Sequence, residues 1–413
     1  MSPFEQLLAW WRRRHPRPAA DATVEPLPLA AAADDGSVES VEAAPEVAEA
    51  GMPPVQDAVA PEGRSSERLQ PVAPVPPWNG KVRLALQGGG SHGAFTWGVL
   101  DRLLEEESLD IDAVSGTSAG ALNAAVLATG WMRGGRQGAR DALSAFWHDV
   151  GHAGALFSLF PLSNGQASAL GFDALPGYDW GNNFLRTLSP YEFNPLNLNP
   201  LREVLSRHVE LAAMREGDIR LFVTATAVQS GLPRVFHGEE LGLDALLASA
   251  CLPFLFQAVE IEGKPYWDGG YSSNPSLYSL IGKHGDCDII VVRINPARRE
   301  GTPRRSSEIM DRVNEISFNA SLIGELRAIA FVNRLLRKGE LSSDRYRELR
   351  LHMIADDVDL AALPSSSKLK VDMAFLETLR GFGRAAAARF LDQHREALGR
   401  HSSVDVETEF PFH

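Results

Sequence analysis

Ile111-Asp112-Ala113-Val114-Ser115 runs directly into Gly116-Thr117-Ser118-Ala119-Gly120, and Ala-rich sequence continues to Ala128. The first five residues read as a short strand and Ala119–Thr129 as a helix. The pentapeptide between them has the form G-x-S-x-G. A serine at its centre sits on a strained strand-to-helix turn, with its hydroxyl lifted clear of the backbone. The two glycines make room, and the following helix turns its positive end toward developing negative charge. That is the geometry a serine nucleophile needs. The pentapeptide alone has low specificity, because Gly, Ser and Ala are common in any strand–helix turn.

Reading outward, order begins near Lys81. Val82–Leu86 is β-compatible and Gly88–Gly90 ends it. Phe95–Glu107 then carries Phe95, Val99, Leu100, Leu103 and Leu104 on one helical face. Further strands are expected at Leu221–Val228, Arg234–His237 and Asp288–Ile294. Ile289-Ile290-Val291-Val292 is apolar on both faces, as a central parallel strand requires. Helices are expected at roughly 244–250, 306–337 and 371–398. Strands alternating with helices define an α/β three-layer sandwich with a mostly parallel central sheet. On the long helix, Glu325, Arg327, Arg334 and Arg337 are assigned to the solvated side. Its apolar positions Ile316, Ile323, Leu326, Ile329, Ala330 and Val332 read as core or as a dimer face, so the oligomeric state stays open.

The net charge of −13 argues against nucleic acid, which is bound through Lys and Arg. Cys251 and Cys287 are too few for a disulfide scaffold and lack metal-ligand spacing, so a reducing, cytoplasmic compartment is expected. No apolar run approaches the ~18 residues of a membrane span. Residues 1–17 pair Trp10 and Trp11 with a following Arg cluster. They read as a short amphipathic, basic segment, either a peripheral membrane contact or a solvated tail. Residues 21–63 hold ten acidic residues and no Lys or Arg, so 18–78 is expected to be a disordered acidic linker. The catalytic domain is then 79–400. Within it, 151–200 is rich in Gly, Asn, Pro and aromatics and has no sustained period. It reads as a cap over the substrate, or as a surface excursion pinned by its aromatics.

Three features stand around Ser118. Gly88-Gly89-Gly90-Ser91-His92-Gly93 follows a strand and opens a helix, so bare backbone N–H groups at Gly88, Gly89, Gly90 and Ser91 can converge on an oxyanion. Asp268-Gly269-Gly270 lies in a turn-rich stretch, where an Asp is either an ordinary turn residue or a group that reaches the serine. Ser249-Ala250-Cys251-Leu252-Pro253 and Asn274-Pro275 flank that loop and would fix its path.

Together the Gly-rich loop, GTSAG, the Ser249–Phe254 segment and the D-G-G loop resemble the patatin-like phospholipase family, over about Lys81 to Pro275. The resemblance implies a patatin-like fold and a two-residue dyad without histidine. Ser118 would be the nucleophile and Asp268 the general base. The Gly-rich loop would form the oxyanion hole, with His92, Gly93, Gly116, Gly120, Gly269 and Gly270 as supporting motif residues. No cofactor and no metal are expected. Neither Asp286/Asp288 nor Asp356/Asp357 has the pattern of a calcium site, and both pairs are assigned to solvent. The family usually has Arg or Lys at the position of His92. Histidine replaces that cation only when protonated, so His92 is either a loop-orienting, partly charged donor or a residue facing water. A carboxylate with an ordinary pKa near 4 is a poor base at pH 7. Burial beside Tyr266 and Trp267 would raise it.

Three rivals are weighed against the dyad, one of them a binding or scaffold protein that keeps the fold, which nothing in the sequence favours because both dyad residues are intact. Gly88-x-Gly90-x-x-Gly93 matches a dinucleotide fingerprint, but the acidic residue wanted at the end of the second strand is missing. An α/β-hydrolase triad would need His284, His352 or His394, each of which reads as an ordinary surface or helix-end histidine. The expected activity is acyl-ester hydrolysis of a phospholipid, a lysophospholipid or a neutral ester. Hydrolysis of an intracellular polyester (polyhydroxyalkanoate) by the same dyad is the alternative.

Overall fold

Residues 80–157, 189–281, 287–342, 346–363 and 365–411 are described by the computed structural model. The expectations for 1–17 and 18–78, most of the 151–200 insertion, Asp286 and His284 fall outside these residues. Eight strands form one sheet: β1 Lys81–Leu86, β2 Asp110–Thr117, β3 Arg220–Ala227, β4 Pro233–His237, β5 Val259–Ile261, β6 Lys264–Asp268, β7 Asp288–Arg293 and β8 Arg350–Ala355. The run β3-β2-β1-β7-β8 is parallel throughout. β4 and β6 add to β3 antiparallel, and β5 to β6. The described helices that build the layers are α1 Gly93–Leu103, α2 Ala119–Phe157, α3 Pro200–His208, α4 Leu211–Glu216, α5 Leu243–Ser249, α6 Ser306–Arg337 and α7 Met373–His394.

Alternation along the central strands builds the three layers. On β7, Ile290 and Val292 enter a core shared with α1, α2 and α7, through Phe95, Leu127, Phe146, Leu376 and Phe390. Ile289 and Val291 point the other way, into a core with Leu322, Leu326 and Ile329 of α6. Successive side chains of a strand face opposite sides, so a strand apolar at every position needs cover on both, as expected for Ile289–Val292. Chain beyond residue 400 joins the second core through Val406 and Phe410. The packed unit therefore runs past the boundary at 400 expected from the sequence.

Helix α2 extends far beyond Thr129 and is interrupted at Gly134–Gly135, where φ is −162° and then +58°. Helices α1 and α7 cross backbone to backbone. A Cβ on Gly98 would lie 2.0 Å from the Arg380 carbonyl oxygen, and one on Gly383 would lie 2.0 Å from that of Phe95. Neither obstacle is a flexible side chain, so the helices themselves must separate. Gly383→Ala is expected to cost about 1–3 kcal/mol, the usual range for an overpacked core, read as a lowered midpoint in urea.

Several charged residues assigned to solvent are used inside the fold. Glu325 accepts from Ser273 Oγ (2.9 Å), the Leu277 amide (2.6 Å) and the Tyr278 amide (3.0 Å), which ties α6 to the loop after Asp268. Burial raises its pKa against these donors. Arg327 donates to the carbonyls of Phe410 and Pro411. Arg334 and Arg337 form exposed pairs with Glu407 and Glu348. Asp288 is buried between Arg350, His352 and the Gly399 amide. Asp356 is also buried and bonded to Arg389. These carboxylates staple distant segments, a role that sequence neighbours do not reveal. His352, also read as a surface residue, is fully buried on β8, with Nε2 against Asp288 and Nδ1 against Ser403.

Candidate active site

Strand β3 brings the two expected catalytic residues together. Thr224 pairs with Thr117 of β2 on one edge and with Val235 of β4 on the other. The next residue, Ala225, pairs with Arg234 of β4 and with Asp268 of β6. Because β4 holds one edge across both residues, β2 and β6 must share the opposite edge. β2 ends there at Thr117 and β6 ends there at Asp268. The two strands run in opposite senses and meet end to end, so Ser118 and Asp268 face each other across the junction. Gly269 makes the junction tight: a Cβ on it would lie 2.1 Å from the Thr224 carbonyl and 2.9 Å from the Thr117 methyl.

Ser118 has φ +53°, a left-handed conformation for a residue with a side chain. Such a conformation costs about 1–3 kcal/mol and persists only where the surroundings impose it. Its N–H donates to Ser249 Oγ at the end of α5 (2.8 Å), and that hydroxyl donates to the Thr224 carbonyl (2.6 Å). Its carbonyl accepts the Leu122 amide in the first turn of α2. Gly120 abuts the end of β1, where a Cβ would lie 2.1 Å from the Leu86 carbonyl. Gly116 pairs with Leu86 in the sheet, Gly93 packs on Ala119, and Gly270 packs on the Phe318 ring. Ser118 is only 6% exposed and Asp268 is 0% exposed.

Asp268 is held from three sides. Its N–H donates to the Cys251 carbonyl (2.8 Å), its own carbonyl accepts from Thr226 Oγ1 (2.8 Å), and its Oδ1 accepts from the Gly270 amide (2.7 Å). Burial pushes its pKa up to about 6, against the lowering effect of hydrogen bonding from Ser118 and Gly270. The Ser118 hydroxyl therefore acts on the carboxylate, yet Oδ2 has no partner that meets strict hydrogen-bond geometry. Catalytic hydrogen bonds in unliganded sites are often long or poorly aligned.

The Gly-rich loop lies across Ser118, with Gly88 packed against the serine Cβ. Gly88 itself is a correction to the expected set of oxyanion donors, because its N–H is already donated to Asn274 Oδ1 (2.7 Å). Among the described residues no acceptor takes the N–H of Gly89, Gly90 or Ser91. Gly90 has φ +60°. His92 is also corrected. It is buried, with Nε2 2.7 Å from Ser367 Oγ. Burial first, then the charges of Lys368 and Arg299, lower its pKa to about 3. It orients the loop as a neutral ring, neither partly charged nor facing water.

Phe254, 75% exposed, comes three residues after Cys251, whose carbonyl accepts the Asp268 N–H, and the half-exposed Tyr271 of the Asp268 turn stacks edge-on against Phe318. Two surface grooves lie elsewhere. One runs along Leu232, Arg234, Ile261 and Lys264, the other along Ile316, Ile323 and Arg327, and neither includes Ser118 or Asp268. Two of the candidate triad histidines, His352 and His394, do not join the site. His352 has both ring nitrogens committed and lies three strands from β2, about 14 Å at the usual strand spacing. His394 packs on Phe390 at the end of α7. Cys251 and Cys287 are free and buried.

Residues 84–281, just under half of the chain, match the family model described as patatin-like phospholipase. A curated relative, the uncharacterized protein YjjU of Escherichia coli (strain K12), is 25% identical over 233 residues, or 54% of this chain and 55% of the relative. The chain thus spans about half the length of that protein. Among solved structures, VipD from Legionella pneumophila aligns over 73% of this chain and 66% of its own, at 13% identity and a TM-score of 0.31. The heterodimeric ExoU–SpcU complex from the type III secretion system of Pseudomonas aeruginosa aligns over 78% and 76%, at 18% identity and a TM-score of 0.26. Among the described residues no helix is long and apolar enough to cross a membrane, and no cluster of three or more His, Cys, Asp or Glu is placed to hold a metal.

Proposed function

We propose that the protein is a serine acyl hydrolase acting on acyl esters of lipids, with Ser118 as nucleophile and Asp268 as general base. The observation that carries this reading is the end-to-end meeting of β2 and β6 on one edge of β3, with a buried, proton-accepting carboxylate facing a strained serine. Asp268 takes the hydroxyl proton as Ser118 Oγ attacks the ester carbonyl. The N–H groups of Gly89, Gly90 and Ser91 receive the oxyanion. The tetrahedral intermediate collapses, the protonated Asp268 returns its proton to the departing alcohol, and an acyl-enzyme remains on Ser118. Water, deprotonated by Asp268, attacks the acyl carbonyl, and Oγ leaves with the proton. A base with a pKa near 6 is mostly ionised at pH 7 and still basic enough to share a proton in the transition state. The exposed Phe254 and Tyr271 give the acyl chain, or a lipid surface, an apolar approach.

A fluorophosphonate probe is expected to phosphonylate one residue, located by mass spectrometry on the peptide containing Ser118. Turnover of short-chain chromogenic esters and of phospholipid vesicles should disappear in step with labelling, and EDTA should leave both rates unchanged. Labelling elsewhere, or no labelling with no turnover on any ester, overturns the proposal.

A further inference from the structure

We propose that Lys368 is a positioning residue for the oxyanion loop, aligning and polarising the Gly89 N–H through Asn295. The inference rests on the reading of Ser118 and the Gly-rich loop given above.

Lys368 lies in the 3-10 segment Ser365–Leu369, between β8 and α7 and well outside the 84–281 family match. Its backbone grips the loop. A Cβ on Gly90 would lie 2.2 Å from the Lys368 carbonyl oxygen. Ser91 Oγ bonds to the carbonyls of Ser367 (3.0 Å) and Lys368 (2.7 Å). Its side chain acts one step further in. Nζ donates to Asn295 Oδ1 (2.5 Å), and Asn295 Nδ2 donates to the Gly88 carbonyl (2.9 Å). Asn295 is fixed in turn, because its amide and that of Ile294 both donate to Gln87 Oε1 (2.9 Å each).

The target of this relay is one peptide unit. In a planar trans peptide the C=O and the N–H point opposite ways. Holding the Gly88 carbonyl toward Asn295 therefore aims the Gly89 N–H away from it. Donating to a carbonyl also strengthens the N–H of the same peptide as a donor, because chained hydrogen bonds polarise one another. A cation at the head of the chain adds a positive field where the oxyanion forms. Among the described residues no carboxylate lies within ion-pair distance of Lys368, so its charge is not neutralised by direct contact. The charged groups that act on it are Glu315, Asp311 and Arg299. Glu315 is already bonded to Arg299 and Arg312. Burial lowers the Lys368 pKa to about 8, although part of the side chain keeps contact with solvent. The buried, neutral His92 does not supply this charge.

The sign is fixed by these directions. Lys368 is charged below about pH 8 and neutral above, so kcat/KM should fall as pH rises through 8. That limb is separate from the rise near pH 6 that follows ionisation of Asp268. On a soluble chromogenic ester, Lys368→Met is expected to lose about 10–100-fold in kcat with little change in KM. This is somewhat less than the 10²–10³ lost with a direct oxyanion donor. Its residual activity should lack the alkaline limb. Lys368→Arg should restore most of the rate and hold it flat beyond pH 9, because arginine stays charged there. A purely structural role would lower the melting temperature and the rate but leave the limb near pH 8 in both variants. Wild-type kcat in Lys368→Met, or an unchanged alkaline limb in Lys368→Arg, overturns the inference. If Lys368→Met does not fold, the Lys368→Arg limb decides alone. Full activity in Ser118→Ala would instead remove the underlying reading, so the two failures are distinguishable.

Discussion

Ser118→Ala and Asp268→Asn are each expected to lower kcat/KM on soluble chromogenic esters and on phospholipid by about a thousandfold or more. The double variant should be little worse than either. A nucleophile and the base that activates it act as one unit, so removing either removes the same step, and the losses do not add. What remains after the loss comes from the loop amides and substrate binding, which neither change touches. Kinetics of the two single variants and the double variant form the test. Additive losses, or an Asp268→Asn variant with more than a tenth of wild-type rate, would mean that the carboxylate is not the base. Ser118→Gly is the matched control. It should be as inactive as the alanine variant but more stable, because glycine adopts φ +53° without steric cost. Equal stability of the two would mean that the turn imposes no strain on residue 118.

The parallel strands β1, β2, β3 and β7 were readable from the sequence because each is a short apolar run between glycine or turn residues, with a helical period following in most cases. The hairpin β5–β6 was not. Val259–Ile261 is three residues long and Lys264–Asp268 contains Pro265, which demotes a strand. The available signal was Glu262-Gly263, a two-residue turn with φ +52° and +73° that suits a tight hairpin. Missing it left Asp268 as a turn residue, whereas its position rests on being the last residue of β6. The strand β8 was missed as well, since Arg350-Leu351-His352-Met353 mixes charge into a run that is largely buried. The proposed catalytic pair and the Gly-rich loop could be singled out from the sequence because each occupies a local motif. Glu325, Asn295 and Lys368 were not, since each acts on chain far away. Lys368 touches Gly90 across 278 positions (368 − 90), and no local pattern encodes such a contact.

Asp268→Asn should also make the protein more stable at neutral pH, and the gain should vanish in acid. The carboxyl has a pKa of 3.8 when unfolded and about 6 when folded, raised first by burial. A raised acid pKa means that the folded state holds its proton more tightly. The stabilising contribution is full below pH 3.8 and is lost as pH rises through 6. The difference, 6 − 3.8, is about two pKa units, or about 3 kcal/mol at 1.36 kcal/mol per unit. At pH 7 the wild type carries that cost as a buried anion, with Oδ2 lacking a partner. Asparagine keeps the acceptor for the Gly270 amide, removes the charge, and offers Nδ2 to the serine oxygen. Calorimetry at pH 7 and pH 4 should show a melting temperature several degrees higher at the first and nearly unchanged at the second, at about 2–4 °C per kcal/mol for a domain of this size. An enzyme that keeps a carboxylate buried and ionised sacrifices stability for basicity, so a variant both inactive and more stable is the signature expected of a general base. A variant that is less stable at pH 7 would mean that Asp268 is a structural anchor.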